Sequence, residues 1–149
     1  MSQNPAHESG FPVKEVFTEA APRPVGPYSQ AVTHAGTVYV SGQIPLRPSD
    51  SQMVEGEIEE QTEQVIANLS EVLREAGSSL DQVLRTTVYL TDLTLFPRVN
   101  AVYARHFKGV PAPARATVGV SALPLGAQVE IDAIAFCQPS GAESNETSA

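Results

Sequence analysis

Three charged side chains interrupt an otherwise apolar stretch of the chain between Pro113 and Phe136. The stretch has the pattern of two strands, and in the first of them Arg115 shares a face with Thr117. In the second strand Glu130 and Asp132 share a face, and the residues that alternate with them are apolar. Taken alone, this alternation favours a solvated outer face that carries an incidental ion pair.

Residues of these types can also carry out chemistry on small carboxylic acids. The guanidinium of Arg115 matches a carboxylate through two parallel donors, and it stays charged at every relevant pH. A carboxylate such as that of Glu130 can orient a water molecule and pass a proton to a leaving group. The stretch therefore offers an anion-binding group and a proton acceptor, and hydrolysis by such groups requires neither a cofactor nor a metal ion.

The elements that must hold these residues follow from hydrophobic periodicity and from turn residues. A helix is predicted for Ile58–Ala76, where apolar residues recur at helical spacing and Gly77 is a good terminator. A second helix is predicted for Leu95–Phe107, with Thr94 as its N-cap. The predicted strands are Lys14–Phe17, Ala31–Val32, Val38–Ser41 and Val83–Leu90, followed by the two strands of the Pro113–Phe136 stretch.

This order of strands and helices indicates an α+β domain. Each helix joins two strands that should run parallel through a right-handed crossover, so both helices should cover one face of one sheet. The other face of the sheet is left exposed, and we expect oligomerisation to cover it. Residues Pro124–Gly126 carry a turn signal, which favours a simple hairpin for the last two strands.

The composition argues against several classes of protein. The 149 residues include 9 basic and 17 acidic side chains, and the net charge of −8 disfavours binding to nucleic-acid phosphates. Cys137 is the only cysteine and the three histidines are widely spaced, so the sequence shows no pattern of metal ligands. No apolar run approaches the ~20 residues that span a bilayer, and the N-terminus lacks the features of a signal peptide. These observations predict a cytoplasmic protein without membrane association.

The length predicts one domain with a tail at each end. Residues 1–12 are polar and small, and they are expected to form a mobile N-terminal tail. The domain is expected to cover residues 13–137. Residues 138–149 contain no candidate core residues and are expected to form a disordered C-terminal tail.

Five short motifs, in the right order and spacing, resemble the reactive intermediate/imine deaminase family, which is also called RidA or YjgF. They extend from about Ala21 to Phe136, which is nearly the whole predicted domain. The motifs are Val-Gly-Pro-Tyr-Ser-Gln around Tyr28, Val-Ser-Gly-Gln-Ile-Pro around Ser41, Val-Asn-Ala-Val-Tyr around Asn100, Pro-Ala-Arg at Arg115, and Val-Glu-Ile-Asp-Ala-Ile-Ala around Glu130.

The resemblance implies a chorismate-mutase-like α+β subunit, with a six-stranded mixed sheet and two helices on one face. It also implies a homotrimer with sites in the clefts between subunits. In this family the strand after the first helix lies between the last two strands. The loop Ser121–Ala127 then has to step over one strand, and the resemblance replaces the simple hairpin with this topology.

The activity that the resemblance implies is hydrolysis of small 2-imino (enamine) acids to 2-oxo acids and ammonia, without a cofactor. By their match to the family motifs, Arg115 would bind the substrate carboxylate and Glu130 would hold the reacting water. The other matched positions that would line the cleft are Tyr28, Ser41, Gly42 and Asn100.

One position departs from the pattern of several family members. Thr117 stands two residues after the arginine, where several members carry a cysteine and others an alanine. The departure therefore affects only a role that requires a thiol, and Thr117 stays a candidate substrate-binding residue.

Two other classes of function stay open. Some members of the family have been described as ribonucleases or translation inhibitors, and the acidic charge and the lack of a basic stripe argue against that function here. A non-catalytic trimer that binds small molecules, or acts like a chaperone, would keep the arginine only to bind carboxylates. An assay for released ammonia distinguishes an enzyme from such a binding protein.

Overall fold

The computed structural model of the protein describes residues 10–137, which form one mixed sheet and two α-helices. The strands are β1 (Lys14–Val16), β2 (Ala31–His34), β3 (Thr37–Gln43), β4 (Val83–Leu90), β5 (Ala114–Gly119) and β6 (Val129–Phe136), and the helices are α1 (Ile58–Glu75) and α2 (Phe96–His106). The six strands lie in the order β1-β2-β3-β6-β4-β5, which confirms the predicted α+β fold. Residues 1–9 of the predicted N-terminal tail, and all of the predicted C-terminal tail, lie outside the described residues.

Helix α1 forms where apolar side chains recur at helical spacing, and its end agrees with the prediction. The N–H groups of Gly77 and Ser78 donate to the carbonyls of Arg74 and Leu73, at 3.0 and 2.8 Å, which closes the last turn. Gly77 has a φ of +80°, a conformation that glycine adopts without a Cβ penalty. Within residues 10–137, neither α1 nor α2 combines the length and the apolar content of a membrane-spanning segment.

Helix α2 is preceded by a short 3₁₀ turn at Leu93–Leu95, and Asp92 caps this turn. The Asp92 carboxylate accepts hydrogen bonds from the backbone N–H of Thr94 at 2.9 Å and from its hydroxyl at 2.6 Å. The prediction that Thr94 caps the helix is therefore wrong, because the Thr94 hydroxyl donates to Asp92 and does not accept from the helix. Pro97 lies in the first turn of α2, where a missing N–H is tolerated.

Strand β4 lies between β5 and β6, so the last two strands do not form a hairpin. It pairs in parallel with β5 and antiparallel with β6. The β5–β6 loop steps over the end of β4 and is bonded to it on both sides: the Val120 N–H donates to the Leu90 carbonyl at 2.9 Å, and the Thr91 N–H donates to the Gln128 carbonyl at 3.2 Å. The hairpin expected from Pro124–Gly126 is wrong, and the topology implied by the family resemblance is confirmed.

The two faces of the sheet are covered differently. The side chains of β6 alternate between them, as the period of a strand requires. Those that face the helices are buried: Val129, Ile131, Ala133 and Ala135. The face opposite the helices, which we call the open face, carries the partly exposed side chains of Glu130, Asp132 and Ile134. The homotrimer predicted from the sequence would cover the open face, and it stays a prediction.

Two buried side-chain amides tie loops to the core. Gln30 is 2% exposed; its amide oxygen accepts from the Thr18 N–H at 2.7 Å, and its amide nitrogen donates to the Thr18 and Pro22 carbonyls, both at 2.9 Å. Asn68 of α1 donates to the Leu46 carbonyl at 2.9 Å. These bonds fix the proline-rich segment that precedes β2 and the loop that follows β3.

We predict that Gln30→Leu lowers the free energy of unfolding by about 1–3 kcal/mol, because leucine fills a similar volume but leaves the Thr18 and Pro22 carbonyls without a donor. Urea-induced unfolding measures the change. Gln52→Leu is the matched control, since Gln52 is exposed, and its effect should stay within about 0.5 kcal/mol. Equal effects of the two substitutions would contradict the role assigned to the Gln30 hydrogen bonds.

Candidate active site

Arg115 lies near the start of β5, on the helix-covered side of the sheet. It is in register with Thr86 of β4, whose side chain is buried under α2. Its Nη1 donates to Oδ1 of Asn100 at 2.9 Å. Its Cζ lies over the rings of Tyr103 and Phe96, at 4.7 and 5.5 Å from the ring centroids. We call Arg115, Asn100, Tyr103 and Phe96 the arginine group.

The guanidinium of Arg115 keeps donors free for a ligand. Within residues 10–137 it makes no ion pair with a carboxylate, whereas Arg98 and Arg105 are paired with glutamates of α1. One of its five N–H groups is donated to Asn100, so the edge formed by Nε and Nη2 can still hold a carboxylate through two parallel bonds. The side chain is exposed, so a ligand can reach it.

Glu130 lies beside a small cavity of about 60 Å³ on a different part of the molecule. Tyr28 and Gly42 border the same cavity. The rest of its lining is mostly apolar and includes Pro22, Pro24, Val25, Ile44, Leu46 and Pro124. We call Glu130, Gly42 and Tyr28 the glutamate group.

Gly42 allows the carboxylate of Glu130 to lie directly against the backbone of β3. A Cβ atom at position 42 would stand 2.8 Å from both Cδ and Oε2 of Glu130. Any side chain at this position would therefore displace the carboxylate. Gly42 lies where the register between β3 and β6 shifts, between the pairs made by Val40 and Gln43, and such an irregularity is a common place for a close backbone approach.

The surroundings of Glu130 favour its protonated form. Burial raises the pKa of Glu130 above its usual range, and the negative charge of Asp132 raises it further. Asp132 is held on the same face by the hydroxyl of Tyr89 at 3.0 Å and by the N–H of Thr87 at 3.2 Å. A carboxyl group with a raised pKa exchanges its proton more readily near neutral pH, which suits it to acid–base chemistry.

Hydrogen bonds fix the two remaining predicted residues on this side of the site. The hydroxyl of Ser41 donates to the carbonyl of Ser29 at 2.6 Å, which joins β3 to the segment that carries Tyr28. The hydroxyl of Tyr28 accepts from the Val25 N–H at 3.2 Å, and its ring is about half exposed. Tyr28 therefore lies at the edge of the cavity, and Ser41 anchors the segment that carries it.

A single chain does not bring the arginine group and the glutamate group together. Arg115 is in register with Thr86, which faces the helices, whereas Glu130 is in register with Tyr89, which faces the open side. The two side chains therefore start from opposite faces of the sheet, on strands about 10 Å apart with β4 between them. The predicted site residues divide accordingly: Arg115, Asn100 and Thr117 lie on one side, and Tyr28, Ser41, Gly42 and Glu130 lie on the other.

Sequence reasoning missed the aromatic partners of Arg115. Phe96, Asn100 and Tyr103 follow one another at i, i+4 and i+7, which places them on one face of α2. This spacing can be read from the sequence, but the same positions also fit a buried stripe that packs on the sheet. No local feature of the sequence directs that face toward β5.

Side chains that commonly bind metals are dispersed or engaged elsewhere. Within residues 10–137, no three His, Cys, Asp or Glu side chains come together in the manner of a metal site. The thiol of Cys137 donates to the Ala76 carbonyl at 3.2 Å, and burial raises the pKa of that thiol. His106 of α2 is paired with Glu63 of α1.

Comparison with known proteins identifies the family. The family profile described as Endoribonuclease L-PSP matches residues 18–137, which include every residue of both groups. The chain belongs to this family, the RidA/YjgF family. The resemblance inferred from the five motifs is therefore confirmed.

Members of the RidA/YjgF family are similar to this chain over most of their length. The 2-iminobutanoate/2-iminopropanoate deaminase of Mus musculus is 46% identical over 126 residues, which cover 85% of this chain and 93% of the mouse protein. The crystal structure of RidA from an Antarctic Psychrobacter is 42% identical, with a TM-score of 0.79, and covers 83% of this chain and 98% of its own. The structure of E. coli TdcF with bound serine is 34% identical, with a TM-score of 0.79, and covers 84% and 99% of the two chains.

We predict that Asp132→Asn lowers the pKa of Glu130 and leaves it above the usual range for a carboxyl group. The charge of Asp132 is removed, but burial, which is the larger cause of the raised pKa, remains. NMR titration of the Glu130 carboxyl carbon measures both values. Asp81→Asn is the control, because Asp81 is an exposed carboxylate outside both groups, and it should leave the pKa unchanged. A Glu130 pKa that Asp132→Asn does not move would show that the two carboxylates are not coupled.

Proposed function

We propose that this protein hydrolyses small 2-imino (enamine) acids to 2-oxo acids and ammonia, at a site that two subunits share. The observation that carries the proposal is the guanidinium of Arg115. It contacts Asn100 and Tyr103 of α2 and makes no ion pair in the described part of the chain. The names of two relatives support it. The mouse protein is a 2-iminobutanoate/2-iminopropanoate deaminase, and E. coli TdcF was solved with bound serine, an amino acid with the same carboxylate.

In this proposal Arg115 binds the carboxylate that sits beside the imine carbon. The planar fork of donors fixes the substrate at two points, which places the imine carbon at one position and supplies proximity. Asn100 keeps Nη1 engaged, so the bidentate edge of the guanidinium is the one that faces the ligand. Thr117, on the same side of β5, contacts the bound acid.

Glu130 handles the proton and the water. Its carboxylate takes a proton from the water as the water oxygen bonds to the imine carbon, and the C=N double bond becomes a C–N single bond. The proton is then passed to the nitrogen, which gives a neutral intermediate with a hydroxyl and an amino group on one carbon. The carboxylate next takes the remaining proton of that hydroxyl and delivers it to the nitrogen, so that the C–N bond breaks, the C=O bond forms and ammonia leaves. The raised pKa of Glu130 suits both halves of this cycle, because the same group must accept and return a proton. Tyr28 and Gly42 line the cavity in which the water is held, and Ser41 holds the segment that carries Tyr28.

The separation of the two groups supports a site that is shared between subunits. Arg115 and Glu130 start from opposite faces of one sheet, so an imino acid about 5 Å long cannot contact both in a single chain. In the proposed homotrimer, the arginine group of one subunit meets the glutamate group of its neighbour. The trimer and the cytoplasmic location inferred from the sequence are parts of this proposal.

The description of the family also raises ribonuclease activity. The net charge of −8 opposes binding to RNA phosphates, which depends on basic side chains that displace counterions. We expect RNA cleavage by a crude preparation to disappear on further purification, while ammonia release persists. RNA cleavage that copurifies with the protein and is lost in Glu130→Gln would favour the ribonuclease.

We predict that Arg115→Lys lowers kcat/KM for imine hydrolysis by about 10- to 100-fold, because an ammonium keeps the charge but cannot grip a carboxylate through two parallel donors. The imine is generated by an amino-acid oxidase, and released ammonia is measured. Arg74→Lys is the matched control, since Arg74 is an exposed arginine at the end of α1. Activity of Arg115→Lys close to that of the wild type would show that bidentate capture is wrong.

We also predict that mixed oligomers of two inactive variants regain activity. Arg115→Ala and Glu130→Gln are produced with different tags, purified, and then unfolded and refolded together in equal amounts. In a trimer with shared sites, about a quarter of the sites combine an intact arginine group with an intact glutamate group, so about a quarter of the wild-type activity should return.

The control for this experiment is each variant refolded alone, which should stay at its low residual activity. Selection for both tags shows whether subunits have exchanged. Light scattering on the mixture, before and after that selection, gives the mass of the oligomer. Mixed trimers that carry both tags and stay inactive would show that the site is not shared. A monomer at micromolar concentration would contradict the proposed assembly directly.

A further inference from the structure

We propose that Tyr103 is a positioning residue, whose ring holds the guanidinium of Arg115 in the orientation that receives a carboxylate. The inference rests on the proposed function, because it deepens the role of Arg115 as the carboxylate-binding group. It assigns a function to a residue that the sequence pattern explains equally well as part of the buried stripe of α2.

The ring of Tyr103 is itself fixed by two separate contacts. Its hydroxyl is hydrogen-bonded to Oγ1 of Thr86 at 2.7 Å, and Thr86 is fully buried. Its ring is stacked on Phe107, with the centroids 4.2 Å apart and the planes 20° from parallel. The hydrogen bond sets the position of the phenol end and the stack sets the plane of the ring. Tyr103 is therefore a rigid surface rather than a mobile side chain.

Arg115 lies on the exposed edge strand of the sheet, and it rests on this surface. Its Cζ is 4.7 Å from the centre of the Tyr103 ring, a distance at which the negative face of the ring attracts the cation. Phe96 is a second, more distant ring at 5.5 Å. A free arginine on an edge strand would sample many rotamers, and each would have to be given up when a ligand binds. A guanidinium that is already oriented binds its ligand at a lower entropic cost.

The contacts also select the edge of the guanidinium that is left free. The Tyr103 ring lies against one face of the planar group, and Asn100 takes a hydrogen from Nη1. A carboxylate then has the Nε–Nη2 edge as its open bidentate position. Tyr103 thus controls the direction from which the substrate approaches, although it does not touch the reacting atoms.

Phe107, which directly follows α2 and is stacked on Tyr103, offers a matched control. Tyr103 and Phe107 are each 7% exposed, and they are stacked on one another, so their replacement by leucine removes similar aromatic packing. Within the described chain only Tyr103 of the two lies under the Arg115 guanidinium. A difference between the two leucine variants therefore reports on Arg115 and not on the core.

The test compares Tyr103→Leu with Phe107→Leu. We expect Tyr103→Leu to raise KM for the imino acid by about 3- to 30-fold, the range of a partly desolvated cation–π contact, with a smaller change in kcat. Phe107→Leu should change KM by less than about threefold. Equal changes in KM for two folded variants would overturn the proposal, because they would reflect packing alone.

A double-mutant cycle with Arg115→Ala decides whether Tyr103 acts through Arg115. In that background, Tyr103→Leu should lower the residual kcat/KM by less than about twofold, since the group that it positions is gone. A further loss as large as that in the wild-type background would show that Tyr103 acts independently, and it would overturn the proposal.

A readout that does not need catalysis separates this inference from the proposed function. The Nε–H resonance of Arg115, assigned by its loss in Arg115→Lys, should be shifted by the ring current of Tyr103. The shift should vanish in Tyr103→Leu and survive in Phe107→Leu, whether or not the protein hydrolyses imines. Binding of 2-oxobutanoate, measured by calorimetry, should weaken in the same order. A protein without deaminase activity that shows these changes would disprove the proposed reaction and leave the positioning role standing.

Milder variants keep the test decisive if both leucine variants unfold. Tyr103→Phe and Thr86→Val each remove one end of the buried hydrogen bond and keep most of the packed volume. Each should move the Arg115 Nε–H resonance and raise KM by about two- to fivefold. No change in either quantity for both variants would overturn the proposal.

Discussion

The insertion of β4 between β5 and β6 is the constraint on which the rest of the molecule depends. A strand that is paired on both edges must present one set of side chains to each face of the sheet. The register of each neighbour on β4 sets the direction of its polar residues: Arg115 is paired with Thr86 and faces α2, whereas Glu130 is paired with Tyr89 and faces the open side. The same insertion forces the β5–β6 loop to step over the end of β4, where it borders the cavity next to Glu130.

Much of this fold could be predicted from local patterns. Helix α1 is defined by its apolar spacing and by Gly77, and the bounds of β4 coincide with a run of β-branched residues. Errors arose where two local signals compete or where pairing is remote. Thr94 and Asp92 are both capping residues, and only the structure shows which one accepts the hydrogen bonds. The turn at Pro124–Gly126 is real, but a turn signal does not reveal that a strand from earlier in the chain will enter between its two arms.

The candidate site shows the same division between features set by local sequence and features set by remote pairing. The five motifs identify the residue types and their positions, because arginine, glutamate and glycine occur in recognisable surroundings. They do not reveal which residues meet, since this depends on register across the sheet. The aromatic partners of Arg115 were missed for that reason. Tyr103 is seventeen residues from Thr86 and twelve from Arg115, and no periodicity within α2 indicates that its ring will lie between them.

The packing of Gly42 against Glu130 separates the stability of the protein from its activity, two properties that usually change together. The atoms that a methyl group at position 42 would meet first all belong to the Glu130 side chain, which can rotate away. The protein can therefore relieve the clash by moving a side chain, and the displaced group is the one to which we assign proton transfer. A screen that selects folded, abundant variants would accept substitutions at this position. It would not detect a loss of catalytic activity. Retention of glycine here would have to be enforced by selection on chemistry, not on folding.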